Sequence, residues 1–193
     1  MASRLLSPKS KLQSMVVATE DAGDDDLIRR AGSGDRDAFG ELYRRYARMV
    51  HGILLARVPV SEAEDMVQDV FLSAMRQLQL LRTPAAFRGW LAAIARHRAI
   101  DYHRQERSRV DLSDNDSAAG APCGAPPHAF LILDAIRGLP EAYRETLILR
   151  LVEGMTGPEI AERTGLTHQS VRVNLSRGMK MLRERLQQGA LAR

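Results

Sequence analysis

Residues Met155–Leu186, MTGPEIAERTGLTHQSVRVNLSRGMKMLRERL, decide the fold. Thr156 is placed to cap a helix, with Glu159 three residues on to complete a capping box. Thr164-Gly165-Leu166 supplies a turn, because Gly165 accepts the positive φ that ends a helix without a Cβ clash. Thr167 then caps a second helix with Val171, Leu175, Leu182 and Leu186 on one face. Ala161 must be small where the two helices cross, and Ile160, Leu166 and Val171 fill the wedge between them. The unit reads as a helix-turn-helix, which offers the start of its second helix to a DNA major groove. The plainer reading is an αα-hairpin of an ordinary bundle. A DNA reader fits the caps and the turn better.

Working outward, Ala129–Arg137 and Glu141–Glu153 form two more helices, with Leu139-Pro140 marking the restart between them. They are expected to pack beneath the helix-turn-helix. Upstream, VDLSDNDSAAGAPCGAPP has no face to bury and is long for a loop inside a compact domain, so residues 110–128 read as a flexible acidic linker. Before it lies a second helical domain. Asp35 caps a helix carrying Phe39, Leu42, Tyr43, Tyr46, Met49, Val50 and Ile53, which Pro59 closes off. Ser61 caps the next, with Met66, Val67, Val70, Phe71, Ala74, Met75 and Leu78 as its stripe. Thr83-Pro84, a cap followed by proline, opens a long helix through Phe87, Trp90, Leu91 and Ile94 to about Arg107. Asp24-Asp25-Asp26 favours a helix start at Leu27 through the helix dipole. Residues 1–23 lack apolar periodicity and read as a disordered lead. No run alternates, so the fold class is all-α: two small helical domains, 24–109 and 129–193, joined by the linker.

Charge is distributed in blocks. The net charge of +4 divides into −2 over residues 1–26, +6 over 27–109, −3 over 110–128 and +3 over 129–193. Two basic blocks separated by an acidic connector suit a polyanion gripped at two points. Nothing approaches the about 18 apolar residues of a membrane span, and no signal peptide is evident, so the expected compartment is the cytoplasm, without membrane insertion. The lone Cys123 excludes an internal disulfide framework and reads as an inert linker thiol.

Two helices carry chemistry. ARHRAIDYHRQERSR, residues 95–109, holds Arg96, Arg98, Arg104, Arg107 and Arg109 with His97 and His103. Arginines hold phosphates, and Trp90, Tyr102 and the histidines offer stacking surfaces beside them, a mixture suited to DNA whose strands are separating. Phe87 reads as core; Trp90 fits core or stacking surface equally. On the preceding helix Glu62, Asp65, Gln68 and Asp69 lie on one side, opposite the apolar stripe. A carboxylate face repels phosphate, so it suits a basic protein partner; the alternative is an ordinary solvated face. No His or Cys shares that face, and no phosphate-cradling loop, nucleophile elbow or HExxH run occurs. No enzyme activity, cofactor or metal is expected.

These stretches together resemble the extracytoplasmic-function group of bacterial RNA polymerase sigma factors. The residues that carry the resemblance are LIRRAGSGDRDAFGELYRRY, SEAEDMVQDVFLSAMRQL, FRGWLAAIARHRAIDYHR, LPEAYRETLILRLVEGMTGPEIAERTGL and SVRVNLSRGMKMLRERL, in that order. The resemblance implies a dissociable initiation factor with core RNA polymerase and promoter DNA as partners. It implies that Glu62, Asp65, Gln68 and Asp69 dock on the β′ clamp helices, with the β subunit as a further contact. It assigns Arg82, Arg88, Trp90, Arg96, His97, Arg104 and Arg107 to −10 recognition and melting, where a base is flipped into a pocket. It assigns Thr167, His168, Gln169, Ser170, Arg172, Val173, Asn174, Arg177 and Lys180 to the −35 duplex, and the linker to a path near the RNA exit. An anti-sigma factor is implied as the regulator, releasing the chain on a stress or envelope signal. Val173, Asn174 and His97 depart from the family's usual residues, and Gly157 and Gly178 are expected to add flexibility. The same residues leave open a stand-alone operator-binding regulator, or an adaptor that binds only protein.

Overall fold

The computed structural model describes residues 23–110 and 127–191. Residues 1–22 of the lead and 111–126 of the linker, Cys123 included, lie outside the described residues, while Gly23, Val110, Pro127 and His128, read as lead or linker, are helical. Every regular element among the described residues is helical. Helix α1 spans 23–32; then come α2 (Arg36–Leu55), α3 (Val60–Gln77), short 3-10 turns at Leu78–Leu80 and Pro84–Ala86, and α4 (Phe87–Val110). Beyond the linker lie α5 (Pro127–Arg137), α6 (Glu141–Leu151), α7 (Gly157–Thr164) and α8 (His168–Leu191). No strand occurs among the described residues, as the absence of alternation predicts.

Helices α2, α3 and α4 form the first bundle around Leu42, Met49, Ile53, Val70, Phe71, Phe87 and Leu91. Asp35 caps α2 by accepting from the backbone N–H groups of Asp37 and Ala38, both at 3.0 Å. The entry to α1 corrects the expected start at Leu27. The helix already includes Gly23, and Asp24 turns inward to pair with Arg45 at 2.6 Å and to accept from the Tyr46 hydroxyl. A dipole argument places carboxylates at a helix start but does not see such a buried partner. Ser61 is a second correction: α3 begins two residues earlier, Pro59 occupies the cap, and Ser61 Oγ donates to its neighbour Glu62 at 3.3 Å. Proline fixes the extended entry, so a side-chain cap is not needed to start the helix. Thr83 stands before the turn Pro84–Ala86 without a side-chain cap bond, and α4 proper begins at Phe87.

Five consecutive residues of α6, Glu145 through Leu149, are buried. A helix buried all round lies between two layers. One layer is α5 and α8, as the sequence predicts; the other is α2 of the first bundle. The two bundles therefore share one continuous core, with Ile53 and Leu54 in the same cluster as Leu147 and Ile148. Gly52 permits this approach. A Cβ there would lie 2.6 Å from Leu149 Cδ2 and 3.1 Å from Glu153 Cγ, both on the second-domain side. Gly178 is likewise a packing residue, buried against Leu147 and Tyr143, and not the source of flexibility expected of it.

Candidate nucleic-acid and partner interfaces

The helix-turn-helix is built as its local chemistry dictates. Thr156 Oγ1 accepts from the Glu159 N–H, and the Thr156 N–H donates back to Glu159 Oε2 at 2.7 Å. The bond from that backbone N–H, with a second from the Thr156 hydroxyl, holds the Glu159 carboxyl below its ordinary range. Gly165 adopts φ +74° and donates to Ala161 O, closing α7. Thr167 Oγ1 accepts from the Ser170 N–H at 3.1 Å and so caps α8. Ile160, Ala161 and Val171 are buried in the wedge.

Of the residues assigned to duplex reading, Thr167, His168, Gln169, Ser170, Arg172, Arg177 and Lys180 are exposed on α8 or just before it. Val173 and Asn174 are half-buried, so they present less of themselves than Arg172 does. Leu186 is a correction to the apolar face: it stands 38% exposed.

The −10 set divides in two. Arg82, His97, Arg104 and Arg107 are exposed, the last three at helical spacing along α4. Phe87 is fully buried, as read, and Trp90 is half-buried against it with ring centroids 5.9 Å apart. Arg88 and Arg96, by contrast, are engaged by the second domain. Arg88 donates from Nε to the Tyr46 hydroxyl at 3.2 Å and faces Glu162 of α7 at 3.8 Å. Arg96 grips Glu145 of α6 with two bonds, Nε to Oε2 at 3.1 Å and Nη2 to Oε1 at 2.7 Å.

Glu145 also meets Arg57 Nη2 at 2.9 Å, so one buried carboxylate sits between two cations of the first domain. Burial alone raises a carboxyl's pKa; here the two arginines outweigh it and hold Glu145 below its ordinary range, while Glu145 raises that of Arg96. Further polar ties cross the same boundary. Glu153 Oε1 accepts from His51 Nδ1 at 2.7 Å, and Arg137 Nη2 donates to Val58 O at 2.6 Å. Arg163 lies 5.7 Å from the Tyr46 ring centroid and donates to Arg45 O. Burial, and then the bond to Asp24, push the Tyr46 hydroxyl well above its ordinary pKa, so it remains a donor.

On α3, Asp65, Gln68 and Asp69 are exposed together and Glu62 is half-buried beside them. Met75, expected in the apolar stripe, is 49% exposed, and Leu72 is 47% exposed. At about 3.6 residues per turn Leu72 falls one turn beyond Gln68 and Asp69, so it belongs to the acidic side. The stripe facing α2 and α4 is filled by Val67, Val70, Phe71 and Ala74 instead. The face is thus acidic with two exposed apolar side chains at its end. Sequence reasoning missed Leu72, although its spacing from Asp69 and Gln68 was there to read. A cleft of about 370 Å³ borders this face, lined by Tyr43, Arg48, His51, Gln68 and, from the second domain, Glu153. No helix among the described residues is long and apolar enough to cross a membrane.

Comparison with known proteins places these surfaces in a family context. The model for sigma-70 region 2 matches residues 42–109, and that for sigma-70 region 4 matches residues 129–182. The RNA polymerase sigma factor CarQ of Myxococcus xanthus is 32% identical over 166 residues, covering 82% of this chain and 95% of the relative. The RNA polymerase sigma factor NccH of Alcaligenes xylosoxydans xylosoxydans is 30% identical over 181 residues, 88% and 97% of the two chains. Among solved structures, CnrH in complex with the cytosolic domain of CnrY is 26% identical with a TM-score of 0.57, covering 85% of this chain and 97% of that one. The sigma factor RpoE in complex with the anti-sigma factor NepR, from Bartonella quintana, shares the fold at 21% identity and a TM-score of 0.53, covering 77% and 96%.

Proposed function

The chain belongs to the extracytoplasmic-function group of the sigma-70 family, and from that premise we propose how its surfaces divide the work of a transcription initiation factor. Sigma factors direct core RNA polymerase to promoters. In this reading the residues 24–109 domain docks on the β′ clamp helices through Asp65, Gln68 and Asp69, with Glu62 at the margin and Leu72 and Met75 as apolar anchors. Its α4 engages the −10 element: Arg82, Arg88, Arg96, Arg104 and Arg107 hold phosphates, while Trp90 and His97 face the bases being unstacked. The residues 129–193 domain reads the −35 duplex, with Thr167, His168, Gln169, Ser170 and Arg172 at the groove and Val173, Asn174, Arg177 and Lys180 beside the backbone or the base edges.

The observation that carries this division is the segregation of charge. Asp65, Gln68 and Asp69 stand exposed on α3, while His97, Arg104, Arg107 and Arg172 stand exposed on other helices. A surface made to meet phosphate and one made to avoid it occupy separate elements of one chain. Polymerase and promoter act in the cytoplasm, which is where this reading puts the protein, and the chemistry of RNA synthesis belongs to the polymerase. Because the CnrH relative was solved with a protein partner, we extend to this chain an anti-sigma factor that holds it until a stress or envelope signal arrives.

Run-off transcription tests the whole. Purified core polymerase with and without this chain, on fragments covering the source genome, gives new discrete transcripts only in its presence. Identical transcript patterns in both arms would refute the initiation reading; specific DNA binding without transcription would point to a stand-alone regulator.

A further inference from the structure

The same arginines that are offered to the promoter are held by the other half of the molecule. We propose that the free chain closes on itself through Glu145, and that the closed form masks its own −10 surface until the two domains part. The masking clause rests on the assignment of α4 to DNA; the closure does not.

Four observations converge. First, the Nε–Nη2 edge of the Arg96 fork is spent on Glu145, whose two oxygens stand where the two oxygens of a phosphate on that edge would. That edge of Arg96 cannot hold both anions at once. Second, Arg88, eight residues earlier on the same helix, faces a second carboxylate, Glu162. Third, the turn of the helix-turn-helix lies over the start of α4. A Cβ on Gly165 would come within 3.9 Å of Gly89 Cα, so the turn occupies space beside Arg88 and Trp90 that a flipped base would need. Fourth, the closed contact is a fitted one, because Gly52 leaves room for Leu149 and Arg57 completes the bracket around Glu145.

A two-point grip on a promoter needs the −10 and −35 surfaces apart and facing the same duplex. In the closed form the module assigned to −35 sits on the helix assigned to −10. The DNA affinity of the free chain is then the open form's affinity multiplied by the fraction of molecules that are open. Removing one partner of a buried ion pair leaves the other charges uncompensated, so loss of Glu145 favours parting. Gly52→Leu parts the domains by bulk alone and leaves charge untouched. The atoms nearest a Cβ at this position belong to Leu149 and Glu153 of the second domain.

The test uses full-length protein in a Cys123→Ser background, spin-labelled at Gln77→Cys and Gln187→Cys, both exposed. Pulsed electron–electron distance measurements on the parent give one narrow distribution. Gly52→Leu and Glu145→Gln lengthen and broaden it, with unchanged helical content by circular dichroism. Each also tightens binding of a fluorescent random-sequence 12-nucleotide single strand by about five-fold or more, the lower end of ordinary coupling. A broad distribution in the parent, or unchanged distances in both variants, overturns the closure. Longer distances with unchanged affinity overturn the masking. The distances need neither polymerase nor promoter, so failure of run-off transcription would sink the initiation reading and leave the closure standing.

Discussion

Gly178 and Leu147 set how closely α8 lies on α6: a Cβ on Gly178 would stand 3.0 Å from Leu147 Cδ1 and 3.1 Å from Tyr143 Cβ. The leucine tip can turn aside, but a Cβ is tied to the backbone and cannot. Gly178→Val therefore forces the two helices apart and costs the second domain about 1–3 kcal/mol by overpacking. Urea denaturation monitored by far-ultraviolet circular dichroism checks it; a midpoint equal to the parent's would show that the helices slide freely.

Gly165→Ala places a side chain at φ +74°. The left-handed conformation costs about 1–2 kcal/mol for a residue with a Cβ. Thr156→Ala, at the other end of α7, removes the capping box for about 1 kcal/mol. Since the two ends of the helix do not touch, the losses add within a few tenths of a kcal/mol. A double variant no worse than either single one would contradict this account of how α7 is fixed.

Asp65→Arg and Leu72→Ser weaken capture of core polymerase at least several-fold while the affinity of the chain for duplex DNA is unchanged by Leu72→Ser. Surface plasmon resonance with immobilised core enzyme reads the first, fluorescence anisotropy the second. Full retention of polymerase binding in both variants would remove α3 from the docking surface.

Arg172→Ala weakens duplex binding by about 1–3 kcal/mol if Arg172 reads a base edge, and lowers the salt slope by about 1 if it holds a phosphate instead. Titration at several salt concentrations separates the two roles. Neither change would leave Arg172 outside the interface.

Lowering the pH opens the molecule through Glu145. Its pKa is held below the ordinary 4.5 in the folded chain. The stabilisation it gives is therefore complete above that value and is lost as pH falls through the lower folded-state one. Asp35 and Glu159 are also held low, so acid weakens more than this one contact. The difference between parent and Glu145→Gln isolates it: interdomain distances in the parent lengthen toward those of the variant below about pH 4.5. A difference that persists unchanged until the parent unfolds in acid would remove Glu145 as the titrating group.

Local chemistry is legible in the chain itself. Asp35, the Thr156–Glu159 box, Gly165 and Thr167 act within a few residues of themselves, so their spacing alone reveals them. The −10 and −35 residues were nameable only as sets, since a helical arginine looks the same whether it faces water, DNA or another domain. Arg96 is such a case. Its partner Glu145 lies 49 residues away across the linker, and no periodicity couples the two. A hint did exist: Glu145 opens a stretch, Glu145-Thr146-Leu147-Ile148-Leu149, with too many apolar residues in a row for one-sided burial. Gly52 left even less trace, because a helical glycine signals close approach without saying to what. Ser61 was misread for the opposite reason: its chemistry suits a cap, but Pro59 had already fixed the chain.

Arg137 closes the far end of α2 by donating to Leu55 O, its last carbonyl, and to Val58 O just beyond it, so a helix end in the first domain is capped by a side chain from the second. A ribosome makes the first domain before the second. As the N-terminal bundle folds during synthesis, those carbonyls and the Arg57 and Arg96 guanidiniums must be solvated, since α5 and α6 have yet to emerge. Each newborn molecule therefore passes through an open state once, with its first-domain surfaces bare. A polymerase or inhibitor that meets the nascent chain encounters it before it has folded shut.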